Sequence, residues 1–344
     1  MYAPSFLRRS LPAVAVAAAL AGCTGQTTTG AYVPAAAALA RTPATATGTD
    51  ANANPDSANP DAAIRIFVAN RDGGDILAFN SKSSGNATPA VTIAGSKTQM
   101  NSPDSLAVDA SGKIYAANDG ASQVEVFAKN ADGNVKPKWT IGGSKSNMGY
   151  TEGIMVDPSG NLWVTDYGND TIHEYAAGAH GNVAPITTIS GSNTQLSVPT
   201  GIVMSANGEI YVANHGAGSI LIFAKGAHGN AAPAAVIQGG NTGLIGPFAL
   251  AFDRQGRLLV ADESAGLFVF AKGASGNVAP LQHIPGLSYP AGIAADKQGH
   301  IWAADFSGNS IDEYAAKATG NATPIRSIAG SNTGLSGANY LAFQ

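Results

Sequence analysis

The residues with most scope for chemistry are six histidines, one cysteine and a set of acids and aromatics that recur beside glycine-rich turns. A zinc centre needs histidines or thiolates converging on one point from neighbouring elements. His180 and His228 share a Gly-Ala-His-Gly-Asn turn, His173 and His283 lie inside apolar runs, and His215 and His300 flank others. They do not occupy matching positions, so they predict no histidine-based metal centre. Gly95-Ser96-Lys97-Thr98 and Gly143-Ser144-Lys145-Ser146 have the composition of a phosphate loop. Their order is wrong, because that loop needs Gly-Lys-Ser/Thr between a strand and a helix. Neither a Gly-x-Ser-x-Gly elbow nor a Ser/His/Asp set stands out. No catalytic residue is assigned.

Composition sets the class. The chain has 344 residues, 44% hydrophobic and 12% charged, with 42 Gly and 18 Pro. That is too apolar for disorder and too rich in turn formers for a helical protein. The formal net charge is -4 and nothing basic clusters, so a nucleic-acid partner is not expected.

The elements that would position any site are repeats. Gly-Asn followed by a small residue recurs at Gly85, Gly133, Gly181, Gly229, Gly276 and Gly320, spaced 48, 48, 48, 47 and 44 residues apart. An aromatic column (Phe79, Phe127, Tyr175, Phe223, Phe270, Tyr314) and an Asn/Asp column (Asn70, Asn118, Asp166, Asn214, Asp262, Asp305) march with it. Such periods mark solenoids, propellers or arrays. One unit reads as four short strands, with A at Gly201–Met204, B at Glu209–Ala213, C at Ser219–Phe223 and D at Ala234–Ile237. Ser205-Ala206-Asn207-Gly208 supplies the A–B turn. The repeat region opens on a B strand, Ile64–Val68, and closes on a spare A strand, Tyr340–Phe343. A ring satisfies both ends, whereas an open solenoid leaves two exposed edges. The expected fold is therefore all-β, a six-bladed β-propeller of four-stranded blades over 63–344, its first blade closed by the C-terminal strand.

Pro199-Thr200-Gly201-Ile202 through Asn214, then Ser219-Ile220 to Phe223, resembles the NHL-repeat family. That resemblance covers 64–344 and implies a propeller. NHL-like propellers include binding scaffolds, sensors, lactonases and lyases, so it leaves the class of activity open.

Comparing the repeats with one another exposes two variable columns. One precedes strand A, with Asp104, Glu152, Thr200, Phe248, Ala291 and Asn339. The other follows strand B, with Arg71, Asp119, Tyr167, His215, Glu263 and Phe306. D–A and B–C connections emerge at one end of a propeller, so both columns should share one face at the channel mouth. The repeat from Asp262 to Asp305 lacks one residue near Glu263 and four near Pro285-Gly286-Leu287, which should notch that rim. This face is the expected ligand-binding site. Its carboxylates leave a calcium site open, with no other cofactor expected. The aromatic column on strand B (Phe67, Tyr115, Trp163, Tyr211, Trp302) is expected to pack between blades.

The N-terminus reads as an address. Arg8-Arg9, an apolar run over Leu11–Leu20 and small residues before Cys23 describe a secretory signal over 1–22. Leu20-Ala21-Gly22-Cys23 resembles the lipobox of bacterial lipoproteins, which implies acylation of Cys23. Residues 23–62, rich in Thr, Ala and Pro, read as a tether. The sequence thus points to an exported, lipid-anchored, monomeric binding module for an envelope protein, peptide or glycan. Thr24 after the cysteine favours the outer membrane in a Gram-negative cell. The alternative is a metal-assisted lactonase or lyase using the same mouth.

Overall fold

The protein is described here by a computed structural model over residues 65–344; the expected signal, Cys23 and tether lie outside the described residues. Blade one joins β1 (Arg65–Asn70), β2 (Asp75–Asn80) and β3 (Val91–Ile93) to the last strand, β24 (Ala338–Phe343). Blade two holds β4 (Pro103–Val108), β5 (Ile114–Asn118), β6 (Gln123–Phe127) and β7 (Trp139–Gly142). Blade three holds β8 (Thr151–Val156), β9 (Leu162–Asp166), β10 (Thr171–Tyr175) and β11 (Thr187–Ile189). Blade four holds β12 (Pro199–Met204), β13 (Ile210–Asn214), β14 (Ser219–Phe223) and β15 (Ala235–Ile237). Blade five holds β16 (Pro247–Phe252), β17 (Leu258–Asp262), β18 (Gly266–Phe270) and β19 (Gln282–Ile284). Blade six holds β20 (Pro290–Ala295), β21 (Ile301–Asp305), β22 (Ser310–Tyr314) and β23 (Arg326–Ala329). This is the expected ring of six. The inner strands begin two residues earlier than the sequence pattern marks, at Pro199 rather than Gly201 in blade four.

Antiparallel pairing of β1 with β24, Ile66 against Phe343 and Val68 against Leu341, closes the circle between the two ends of the described chain. The Gly-Asn column makes a second closure on the outside. The outer strand of one blade bridges to that glycine in the next: Ile93 to Gly133, Ile141 to Gly181, Ile189 to Gly229, Ile237 to Gly276, and Ile328 to Gly85. The following asparagine accepts from the backbone of the preceding blade's D–A turn. Asn134 Oδ1 receives Lys97 N at 2.8 Å and Asn182 Oδ1 receives Lys145 N at 2.7 Å. The Gly-Ser-Lys-Ser/Thr segments are therefore clasped turns. Each is also tied by its own hydroxyl, Ser146 Oγ to Gly143 O at 2.7 Å.

Strand alternation sends apolar side chains to both faces of each blade, so the core lies between blades. Tyr115, Val126, Ile154 and Val164 pack blade two on blade three; Tyr211, Phe268 and Phe270 pack blade four on blade five. Trp163 and Trp302 are buried in the corresponding layers. The strand-B aromatic column is scaffold, as expected. Each such ring contributes roughly 1.5–3 kcal/mol on burial.

Candidate functional site

The D–A/B–C end of the ring is fixed by the Asn/Asp column. Asp166 accepts Gly149 N at 2.6 Å and Tyr150 N at 3.1 Å. Asp305 accepts Ser288 N at 2.8 Å and Tyr289 N at 2.9 Å. Asn118 and Asn214 hold Asn101 N and Ser197 N in the same way, each at 2.7 Å. Each loop that follows strand D is thus pinned to the corner that follows strand B, and the side chains beyond are presented at fixed positions.

Within this frame the two variable columns meet, but at different depths. Asp104, Glu152, Thr200, Phe248, Ala291 and Asn339 are second residues of the inner strands, not loop residues, and all are at most 2% exposed. Arg71, Asp119, Tyr167, His215, Glu263 and Phe306 form a half-buried rim above them. The sequence pattern puts the first column just before strand A; the structure places it within the strand, buried.

The mouth divides in two. On one side Arg71 Nε donates to Asp104 Oδ1, and its Nη2 lies 3.9 Å from Asp119 Oδ2. Asn339 Nδ2 also reaches Asp104 Oδ1, at 3.4 Å. On the other side His215 Nε2 lies 2.7 Å from Glu263 Oε1, and Tyr289 Oη donates to Glu263 Oε2. Gly246 permits that pair, because a Cβ there would stand 3.2 Å from His215 Nε2 and 3.1 Å from Glu263 Cγ. Phe248 packs near Tyr289, with ring centroids 6.3 Å apart, and Tyr289 lies 5.5 Å from Phe306. Thr200 is spent on the frame, its hydroxyl directed at Ala213 O and Pro247 O.

Tyr340 floors the mouth. It rises from β24, passes β20 and donates its hydroxyl to Phe248 O at 3.0 Å. Ala291 and Gly292 leave room for this crossing; a Cβ on Gly292 would fall 2.3 Å from Asn339 O. Tyr150, Tyr289 and Tyr340 are not among the residues the sequence columns single out, although Tyr150 and Tyr289 share one variable position, directly before the inner strand. The two short loops do notch the rim: 263–265 and 285–289 bring Glu263 and Tyr289 together.

The electrostatics are unusual for a structural core. Both oxygens of Glu152, Asp104 Oδ2, Asp119 Oδ1 and Asn339 Oδ1 are buried without a hydrogen-bond partner in the protein. Burial pushes Asp104 up to about 8 and Asp119 up to about 6, against the opposing pull of Arg71. Burial, with Asp104 and Asp119 nearby, lifts Glu152 well above the ordinary carboxyl range. Burial raises Tyr167, Tyr289 and Tyr340 as well, and the Glu152 charge adds to each. Glu152 therefore acts on both halves of the mouth. Burial works against the Arg71 charge, but Asp104, Glu152 and Asp119 outweigh it and raise Arg71.

Two other places bear on function. At the A–B end, Asp296, His300 and Glu313 come close enough to share an ion. His300 Nδ1 lies 3.0 Å from Asp296 and 2.8 Å from Glu313, and Arg326 Nε lies 3.2 Å from Glu313. Blade three builds the same corner with a neutral amide in place of the imidazole, Asn161 donating to Asp157 and Glu174. The cluster anchors the A–B turn, and Arg326 pairs with one of its two acids, Glu313. An open groove of about 700 Å³ also lies at this end, between blades three and four, lined by Trp163, Glu174, Met204 and His228. It holds none of the variable-column residues.

An NHL-repeat family model matches residues 287–311, and a family model described as a lactonase, 7-bladed β-propeller, matches residues 43–193. The chain is a six-bladed β-propeller, similar to the NHL repeat over 287–311. No curated protein matches it. Among solved structures, a protein of unknown function from Bacteroides caccae is 12% identical with a TM-score of 0.59, over 82% of this chain and 98% of that one. A nidogen/laminin complex gives 16% identity and a TM-score of 0.59, over 81% and 98%. A protein from Lactobacillus plantarum gives 15% and 0.57, over 82% and 99%. These likenesses establish the fold. The NHL-like ring here has six blades, not the seven in the lactonase family's description.

Proposed function

We propose that this NHL-like propeller is an envelope-anchored binding module that takes its ligand, a protein, peptide or glycan, at the D–A/B–C mouth. One observation carries the reading: Glu152, wholly buried at the centre of the mouth, has two carboxylate oxygens with no partner in the protein. Burying such a group costs stability that packing elsewhere must offset, and fold maintenance does not require it. The rim around it carries large exposed apolar groups, Tyr150 at 53% and Ile245 at 63%. Exposed apolar groups also stand at the A–B end, Ile186, Leu281 and Ile325, so it is their place beside the buried Glu152 that suits Tyr150 and Ile245 to ligand contact.

Anchoring rests on Cys23 and the signal-like segment before it. Replacing Cys23 with Ala should move the protein from the membrane to the soluble fraction with the propeller intact. For the mouth, Tyr150→Ala with Ile245→Ser should abolish capture of the envelope ligand, while Ile186→Ser at the A–B end should not. Equal capture by both variants overturns the assignment.

The lactonase-family match over 43–193 keeps a metal-assisted hydrolase as the second reading. Asp104, Glu152, Asp119 and Asn339 offer oxygen donors of the type calcium takes. Arg71 argues against it, since its guanidinium already bridges Asp104 and Asp119 where an ion would sit. Lactone turnover that is abolished by a chelator would decide for this reading.

A further inference from the structure

We infer that the mouth recognises a protonated primary amine, with Glu152 as its counter-ion. The inference rests on the mouth being the working end, and it names the chemistry that end selects.

Charge at the mouth is not balanced from within. Asp104, Asp119 and Glu152 face a single cation, Arg71, which is held by the first two. On the opposite side Glu263 is already engaged by His215 and Tyr289. Glu152 is the carboxyl left over, fully buried and with both oxygens unpartnered; burial keeps it protonated in the empty mouth, and it becomes a counter-ion by releasing that proton when a cation binds. A third donor group would satisfy them. Asp104 Oδ2 and Asn339 Oδ1, on the same inner-strand column, are also unpartnered, so a partner that donates several hydrogen bonds suits the site. An ammonium group has that inventory, three donors and no acceptor. A hydroxyl or a carboxamide does not.

The surroundings suit the same group. Aromatic rings line the same mouth, Tyr167 with its centroid 5.3 Å from that of Tyr150 and Tyr289 5.5 Å from Phe306. Phe248 adds a ring 5.8 Å from Tyr340. Aromatic faces beside a buried carboxylate favour a cation at the end of an apolar stem. Arg71, bound by two carboxylates of the same mouth, is an internal example of the preference. Two sources present this chemistry, a free alkylamine and a lysine side chain.

Calorimetric titration of the purified full chain would separate them, using N-acetyl-lysine N-methylamide, its norleucine counterpart, n-butylammonium chloride and calcium chloride. The lysine amide should bind one to one and the norleucine amide, which lacks only the charged amine, should not. Glu152→Gln should weaken the lysine amide at least tenfold. Asp119→Asn, tested in parallel, should weaken it less; thermal melts confirm that both variants fold. Butylammonium binding as tightly as the lysine amide assigns a free amine, and binding of the lysine amide alone assigns a polypeptide. Equal binding of the norleucine amide, unchanged affinity in Glu152→Gln, no binding of either amine, or calcium binding that Glu152→Gln abolishes would overturn the inference. The rim variant of Tyr150 and Ile245 keeps the two readings apart. If it still loses envelope capture while no amine binds, the mouth is the working end and only its amine specificity fails.

Discussion

Glu152→Gln should stabilise the folded protein, and by more as pH rises. Burial lifts the Glu152 carboxyl well above its ordinary value, so the folded chain holds a proton that the unfolded chain releases. The stability linked to that proton is complete below the unfolded value near pH 4.5 and is lost as pH climbs toward the folded one. Each unit within that window removes ~1.4 kcal/mol, a ceiling of about 3 kcal/mol between pH 5 and pH 7. Arg71 on one side, with Asp104, Asp119 and Glu263 repelling, takes up part of the change. A net gain of roughly 1–2 kcal/mol for the amide is expected at pH 7. For a domain of this size that raises Tm by roughly 2–6 °C. The assay is scanning calorimetry of wild type and variant at pH 5, 6, 7 and 8. The two melting curves should nearly coincide at pH 5 and separate steadily above it. A constant offset, or a variant that melts lower at pH 8, would refute the reasoning. A mouth that weakens the fold in this way is what a binding site held at the expense of stability looks like.

Other perturbations address the frame. Tyr340→Phe removes the hydroxyl that reaches Phe248 O and should cost about 1 kcal/mol in urea unfolding, with the fold unchanged. Asn182→Ala opens one inter-blade clasp and should cost about 1 kcal/mol. Asn321→Ala should cost under ~0.5 kcal/mol, because the adjoining loop, 285–289, is too short to form the clasped turn. Removing residues 338–344 takes the inner strand from blade one and should abolish cooperative melting.

Sequence periodicity carried most of the fold, since each column has one structural job repeated in five or six blades. Gly-Asn is the outer clasp, the Asn/Asp column pins the D–A loops, and the strand-B aromatics fill the inter-blade layers. The mismatch between a leading B strand and a trailing A strand set the ring closure, because only pairing β1 with β24 satisfies both. The candidate site was legible only as columns that vary. Comparing repeats finds where Asp104, Glu152 and Phe248 stand, but not that their side chains turn inward and lose solvent. That depends on the inner strands converging on the axis, which places residues far apart in sequence face to face. Tyr340 was invisible for the same reason: its partner is Phe248 O, two blades away around the ring. Tyr289 reaches Glu263 only because both neighbouring loops are short, and loop length alone does not reveal which side chains a notch brings together.

The central claim is that the propeller works at its D–A/B–C mouth. Photo-crosslinking in the native envelope tests it most directly, with a photoreactive amino acid placed singly at four exposed positions. Tyr150 and Ile245 flank the mouth, whereas Ile186 and Ile325 lie toward the A–B end. Positions 150 and 245 should each give one discrete adduct, suppressed by an excess of the lysine amide, and positions 186 and 325 none. Adducts from 186 and 325 with none from the mouth positions would contradict it.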